Sequence, residues 1–417
     1  MAQDFIRLIT EFRDCGRNTV EEAFSESYPD LKVYKNEFWT AKQRAAHSLH
    51  EISYRACFKP QLPRFFILRL SRRGDTVYDP FMGRGTTLLE AALCERIPIG
   101  CDINPLSEIL IRPRLNPPLL TEVEERLNKI DLEKRTEVRE DLLVFYHAST
   151  LVAITNLRNY LIEKRISNGL DRVDQWIRMV ATNRLTGHSN GFFSVYTLPP
   201  NQAVSVASQR RINQRRDQTP PIRNVRHIIV TKTKALLKHL DSMCRDSLVT
   251  IGEQAQILTG TSDSTPTIPS ESVDLVVTSP PFLDVVDYQL DNWLRCWFND
   301  IDPSAIKVWK FRKPSQWVER IEATFRELCR VLKPGGHVAF EVGEVRNSTL
   351  LLERLVVPAA IRAGLNPIMV IINDQAFTKT SNCWGIDNRL KGTNTNRIVL
   401  LRKDEPRKTH TLVPADS

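Results

Sequence analysis

The chain has 417 residues, of which 41% are apolar and 26% charged. This excludes wholesale disorder or a collagen-like fibre and predicts roughly two to three domains. No apolar run approaches the roughly 18–20 residues of a membrane span. The start carries Asp4 and lacks a basic stretch followed by an apolar core, so no secretory signal is expected and a cytoplasmic location is. Lys and Arg number 58 against 49 Asp and Glu, a net charge of +9 that favours a polyanionic partner. None of the eight cysteines falls in a CxxC pair, which predicts reduced thiols and no metal site.

In chain order, residues 1–70 read as helical. The short apolar runs 76–78 and 97–101 flank a helix-like TTLLEAALCER, a strand–turn–helix–strand unit that opens a doubly wound, Rossmann-like α/β sheet. Residues 107–250 break the alternation and read as a large, mostly helical insertion. Strand patterns return from about 255, in AQILTG, VDLVVTSPPF, HVAFEV, NPIMVII and NRIVLL. The predicted parts are therefore 1–106, with N-terminal helices and a cofactor-binding half; 107–250, a target-recognition insertion; 251–402, a catalytic half; and a tail at 403–417.

The first chemistry lies in VYDPFMGRGTTLLEAALCERIPIGCDINP. Asp79 sits at the carboxyl edge of its strand. Gly83 and Gly85 permit a tight turn and close backbone approach to a ligand. Thr86 and Thr87 open a helix whose N–H groups can receive an anion. Asp102, 23 residues beyond Asp79, stands where an acidic side chain can accept both hydroxyls of a ribose. A plain strand–helix turn also accounts for the two glycines. Leu88 replaces the third glycine of a dinucleotide fingerprint, which disfavours NAD, and no GxxxxGK[ST] loop exists. A cofactor with a ribose and an amino-acid carboxylate but no pyrophosphate fits, and S-adenosylmethionine is one.

The second piece is Ser279-Pro280-Pro281-Phe282, at the carboxyl end of an apolar strand. Ligands bind at that edge in open α/β sheets. Two prolines fix φ and remove two N–H donors, so carbonyls are left to accept hydrogen bonds. Ser279 and the Pro280 carbonyl can accept the protons of an exocyclic base amine and aim its nitrogen lone pair. Phe282 can stack on the base, and positioning then supplies much of the acceleration.

Together, Asp79-Pro80-Phe81-Met82-Gly83-Arg84-Gly85-Thr86-Thr87 and Ser279-Pro280-Pro281-Phe282 resemble the paired turns of the S-adenosylmethionine-dependent amino-group DNA methyltransferases, which act on cytosine-N4 or adenine-N6. The resemblance covers roughly residues 58–106 and 255–402. It implies that Asp79, Phe81, Gly83 and Gly85 line the methionine part of the cofactor, that Asp102 holds the ribose and that Ile103 packs on the adenine. Asp263 matches the acidic residue that contacts the adenine amino group, or caps a turn. Lys59 matches an element near the methionine carboxylate, or is a surface lysine. Pro334-Gly335-Gly336 reads as architectural. Serine at the head of the second turn is more typical of cytosine-N4 enzymes. Cytosine-C5 chemistry uses a Pro-Cys pair, which this chain lacks. The insertion precedes the strand of Asp263, a departure that leaves the subclass open.

Between 201 and 240, nine Lys and Arg face one acid, Asp217. Arg210, Arg211, Arg215 and Arg216 are candidate contacts to nucleic acid, here duplex DNA with an extruded base. His188 and Phe192, in GHSNGFF, are candidates for the target cleft, and Trp384 is a further aromatic one. Adenine-N6 transfer, RNA base methylation and a catalytically dead nucleic-acid-binding regulator stand as alternatives. The restriction-modification setting leaves a cognate endonuclease open as a partner.

Overall fold

The computed structural model describes residues 2–40, 46–55, 57–197, 203–282, 288–309, 311, 313–345, 350–374 and 395–405. Its strands are β1 Val20–Ser25, β2 Tyr28–Asn36, β3 Thr76–Asp79, β4 Ile97–Asp102, β5 Gln256–Thr259, β6 Val273–Thr278, β7 Leu332–Val342, β8 Glu344–Val345, β9 Leu350–Leu351, β10 Asn366–Asp374 and β11 Thr395–Arg402. Its helices are α1 Ala2–Thr10, α2 Gln61–Leu70, α3 Thr86–Leu93, α4 Leu106–Leu115, α5 Leu120–Lys129, α6 Ala148–Ile166, α7 Arg172–Thr182, α8 Val206–Arg216, α9 Val225–Leu236, α10 Ser242–Gln254, α11 Tyr288–Asn299, α12 Pro314–Val331 and α13 Glu353–Arg362. The fold is α/β and Rossmann-like. Two compact units divide it: Met1–Phe38, Asp263–Val276 and Pro314–Ser417 form one, and Trp39–Ser262 with Val277–Lys313 form the other. Among the described residues no helix is long and apolar enough to cross a membrane.

In the first unit β1 and β2 form an antiparallel hairpin, β2 runs parallel to β10, and β10–β11 and β11–β7 are antiparallel. α12 buries Trp317, Ile321, Phe325 and Leu328, one face at helical spacing, and packs on α13. Pro334-Gly335-Gly336 is architectural: Gly335 has φ +79° and donates its amide to the Lys403 carbonyl at 2.8 Å, and Lys403 donates back to Gly336 at 3.0 Å.

Residues 20–36 differ from the helix expected of them. Leu31 and Val33 alternate with polar neighbours, and Val33 and Tyr34 have high strand preference. That period of two places Leu31 and Val33 on a buried face, while Pro29 and Asp30 begin the strand in the open. Asn36 ties the hairpin to α1. Its Nδ2 donates to the Phe12 carbonyl at 3.0 Å, the Arg17 carbonyl at 3.2 Å and Thr19 Oγ1 at 3.1 Å, while its Oδ1 accepts from Glu37 N.

In the second unit β3, β4 and β5 are parallel, with Asp79 opposite Gly100 and Asp102 opposite Thr259. β3–α3–β4 is the expected strand–helix–strand unit. Helices α4–α10 gather around a core that includes Trp176, Ile177, Val180, Ile229 and Leu236. Short polar side chains start α7–α10 where such caps are favoured: Asp171 accepts from Val173 N and Asp174 N, and Asn224 from His227 N.

Asn36→Ala strips the hairpin of a buried hub. A loss of roughly 2–3 kcal/mol in unfolding free energy is expected, since carbonyls are left without donors. Urea unfolding measures it, and an unchanged midpoint would count against the hub.

Candidate functional site

The site builds from the ends of β3 and β4 in the second unit. Asp79 closes β3 with 1% of its surface exposed. Its Oδ1 accepts from Phe81 N at 3.0 Å and from Thr278 Oγ1 at 2.6 Å. Burial pushes the Asp79 carboxyl up to about 7, against hydrogen bonds from Thr278, Phe81 and Thr87 that favour its ionised form. Asp102 closes β4. Its two oxygens accept from Gly83 N and Asn104 N, each at 2.8 Å, and burial raises its pKa above the usual carboxylate range. An ionised carboxylate offers about four acceptor positions. Two amides therefore orient Asp102 and leave it capacity for a ligand.

Gly83 and Gly85 have φ of +49° and +75°, the left-handed region that the turn requires. Gly85 precedes α3, and a Cβ there would lie 2.6 Å from Ile111 Cγ1. Arg84, between them, is buried. It donates to Thr86 Oγ1 at 3.1 Å and to the Ile52 carbonyl at 2.7 Å, and the Arg84 carbonyl accepts from Arg114. Arg114 is fully buried, and burial followed by the nearby Arg84 pulls it down to about 9.

The second turn follows the end of β6. Thr87 Oγ1 donates to the Val277 carbonyl at 3.0 Å, and with the Thr278–Asp79 bond this fastens the two turns together. One cleft results. It is lined by Asp79, Phe81, Gly83, Thr86, Asp102 and Ile103 from the first stretch, and by Ser279, Pro280, Pro281 and Phe282 from the second. Gly85 stands behind it against Ile111. The Asp263 carboxylate accepts from Arg320 at 2.8 Å and is not a lining residue; Gly260, Thr261 and Ser262 are. Lys59 does not line the cleft either, and burial lowers its pKa.

Several lining residues escape sequence reasoning. Asn104 donates to Tyr54 OH at 3.1 Å while its Oδ1 accepts from Leu106 N, an Asx turn signalled by the Asn-Pro pair after Asp102. Tyr54, Cys57 and Phe58 lie in a stretch read as helix. Among the described residues between Trp39 and α2, the structure instead carries a short 3₁₀ turn at Ser48–His50. Trp309 meets Phe81 edge-on with centroids 5.2 Å apart.

The basic stripe splits by orientation. Arg210, Arg211, Arg215 and Arg216 are exposed on α8, and the Arg216 guanidinium stacks over Tyr196 at 3.8 Å. Arg226 instead donates inward to the Leu127 and Ile130 carbonyls. His188 is exposed, whereas Phe192 is buried beneath the Arg184 guanidinium at 4.0 Å. Trp384 lies outside the described residues.

A family model described as DNA methylase (N6_N4_Mtase) matches residues 11–109 and 273–415, more than half of the chain. The Type II methyltransferase M.MjaII of Methanocaldococcus jannaschii is 31% identical over 102 residues, 24% of this chain and 17% of that protein. The Type II methyltransferase M.BsoBI of Geobacillus stearothermophilus is 21% identical over 325 residues, 70% of this chain and 60% of that one. The chain thus spans less than two thirds of the length of these curated relatives. Among solved structures, TrmN from Thermus thermophilus is 13% identical with a TM-score of 0.32, covering 85% of this chain and 51% of that one.

Asp79 makes the stability of the ligand-free protein depend on pH. Its folded pKa, about 7, lies above the ordinary carboxylate value. Its contribution is therefore complete below about pH 4 and is lost as pH rises through 7, a change on the order of 4 kcal/mol. Urea unfolding of the wild type and Asp79→Asn at pH 4.5 and 8 is the check. The wild type is expected to lose ground to the variant as pH rises, and a constant difference would contradict the assignment.

Proposed function

The chain belongs to the DNA methylase family, and from that membership we propose that it transfers a methyl group from S-adenosylmethionine to an exocyclic base amine of DNA, with cytosine-N4 as the acceptor. S-adenosylmethionine is the cofactor; when bound it supplies an electrophilic methyl on its sulfonium. The donor set of the cleft fits it. Asp102 is a carboxylate pre-aimed by two backbone amides and with acceptor positions to spare, which suits the hydroxyls of a ribose. Asp79, Phe81 and Gly83 would take the methionine part, Thr86 and the start of α3 its carboxylate, and Ile103 the adenine. Asp79 exchanges a proton near neutrality, so a cationic amino group beside it would draw it into its ionised form.

The acceptor side follows from the second turn. Pro280 and Pro281 bring no N–H groups of their own, so this stretch of backbone presents acceptors. Ser279 and the Pro280 carbonyl hold the two protons of the amine, which turns the nitrogen lone pair toward the methyl. Phe282 covers one face of the base. A base inside a duplex cannot reach this turn, so it is extruded, at a cost of a few kcal/mol. Exposed Arg210, Arg211, Arg215 and Arg216 on α8, together with His188, are the proposed contacts to the duplex, and Phe192, buried against Arg184, serves as packing. The observation that carries the reading is the single cleft lined by two turns about 200 residues apart in sequence, joined by the 2.6 Å bond between Thr278 and Asp79. The serine at position 279 favours cytosine-N4 over adenine-N6. The Type II methyltransferases among its relatives support a restriction-modification setting, with a cognate endonuclease as partner and a cytoplasmic location within the same proposal.

Transfer of tritiated methyl groups to DNA and to RNA, followed by mass spectrometry of the hydrolysed nucleosides, tests this. N4-methylcytosine from DNA is the expected product, and the double variant Ser279→Ala/Phe282→Ala should lose transfer while it still binds cofactor. N6-methyladenine would overturn the choice of acceptor. Label in RNA alone would overturn the choice of substrate.

A further inference from the structure

The segment 51–55 in the second unit, which has no regular secondary structure, carries Tyr54, which lines the cleft, and it is bordered by cations. Lys232 of α9 lies 3.8 Å from Glu51. Ser53 N donates to Asn183 Oδ1 at 2.8 Å, and the Ser53 carbonyl accepts from Arg295 at 3.0 Å. Arg55 donates to both oxygens of Asp291, at 3.0 and 2.8 Å. Arg184, next in sequence to Asn183, is nine-tenths buried. Among the described residues its guanidinium makes one hydrogen bond, from Nε to the Asn183 carbonyl at 2.8 Å, and lies on the Phe192 ring at 4.0 Å. Its two terminal nitrogens have no protein acceptor there. Among the described residues, four cations, Arg55, Arg184, Lys232 and Arg295, thus border this segment with two carboxylates, Glu51 and Asp291.

Such an excess is expensive to bury. Burial and the like charge of Arg295 pull Arg184 down to about 10. Burial and the like charge of Arg184 pull Lys232 down to about 8. The Phe192 platform fixes the plane of the guanidinium, and a planar fork whose two terminal nitrogens meet no acceptor among the described residues matches a phosphate bidentately. We propose that Arg184 and Lys232 form a seat for one backbone phosphate of the bound duplex, beside the cleft that takes the extruded base. This rests on the reading of DNA as substrate. Phe192 then acts as the support of a phosphate contact, a role that its burial permits, whereas contact with a base is not.

The test is binding of a duplex oligonucleotide across a salt series by the wild type, Arg184→Gln and Lys232→Gln. Loss of one phosphate contact should flatten the slope of log affinity against log salt by about one and weaken binding roughly tenfold at low salt. Arg184→Lys, which keeps the charge, should recover part of the slope. Affinity for S-adenosylmethionine, measured by calorimetry, should change less than twofold, which shows the fold intact; Lys232→Gln, at the more accessible position, guards against misfolding of the buried variant. Wild-type slopes in both Gln variants would overturn the seat. So would protection by inorganic phosphate, seen as a raised Tm lost in Arg184→Gln, with no change in the duplex slope; that result would assign the seat to a free anion. A flattened slope in a protein that methylates no DNA base would keep the seat and remove the amine chemistry.

Discussion

Two carboxylates at the ends of adjacent parallel strands, Asp79 buried and Asp102 half-buried, set the rest of the cleft. A carboxylate taken out of water must be met by donors or lose its charge. Asp79 and Asp102 are met by Phe81 N, Gly83 N, Asn104 N and the Thr278 hydroxyl. Those four donors come from three separate turns, so satisfying the two acids fixes the glycine turn, the turn after β4 and the end of β6 together. The left-handed φ of Gly83 is what allows its amide to point back at Asp102. Burial holds the Asp79 carboxyl up at about 7 despite those donors.

Around this centre, buried arginines do for the backbone what helix hydrogen bonds would otherwise do. The carbonyls of Leu49, His50, Ile52 and Ser53 accept from Arg114, Arg84, Arg84 and Arg295. A segment whose carbonyls are met from outside has no need of a helix. Tyr54, Cys57 and Phe58 then line the cleft without a helix to carry them. The same arrangement gathers the positive charge on which a polyanion can act.

What is legible in the amino-acid sequence is what depends on local chemistry. The glycine turn, Asp102, Ile103 and the Ser-Pro-Pro-Phe turn are each specified by a few adjacent residues, and all meet at one cleft. The β3–α3–β4 unit and the later strands follow from apolar runs and their breaks. The β1–β2 hairpin is harder to see, because charged residues interrupt its alternation. The helix-like composition of residues 46–58 misleads for a different reason: the donors to its carbonyls, Arg84, Arg114 and Arg295, are distant in sequence. Charge counting likewise finds the basic stripe yet cannot separate exposed Arg215 from Arg226, which is consumed by two carbonyls. Asp263 has a suitable side chain, but Arg320 takes it.

The most direct measurement is a crystal structure with sinefungin, a cofactor analogue, and a short duplex carrying the target base. The amino nitrogen of the extruded base should lie about 3 Å from Ser279 Oγ and from the Pro280 carbonyl, with the analogue's ribose on Asp102. A base that remains stacked in the duplex, or an analogue bound away from Asp79 and Asp102, would contradict the account at its centre.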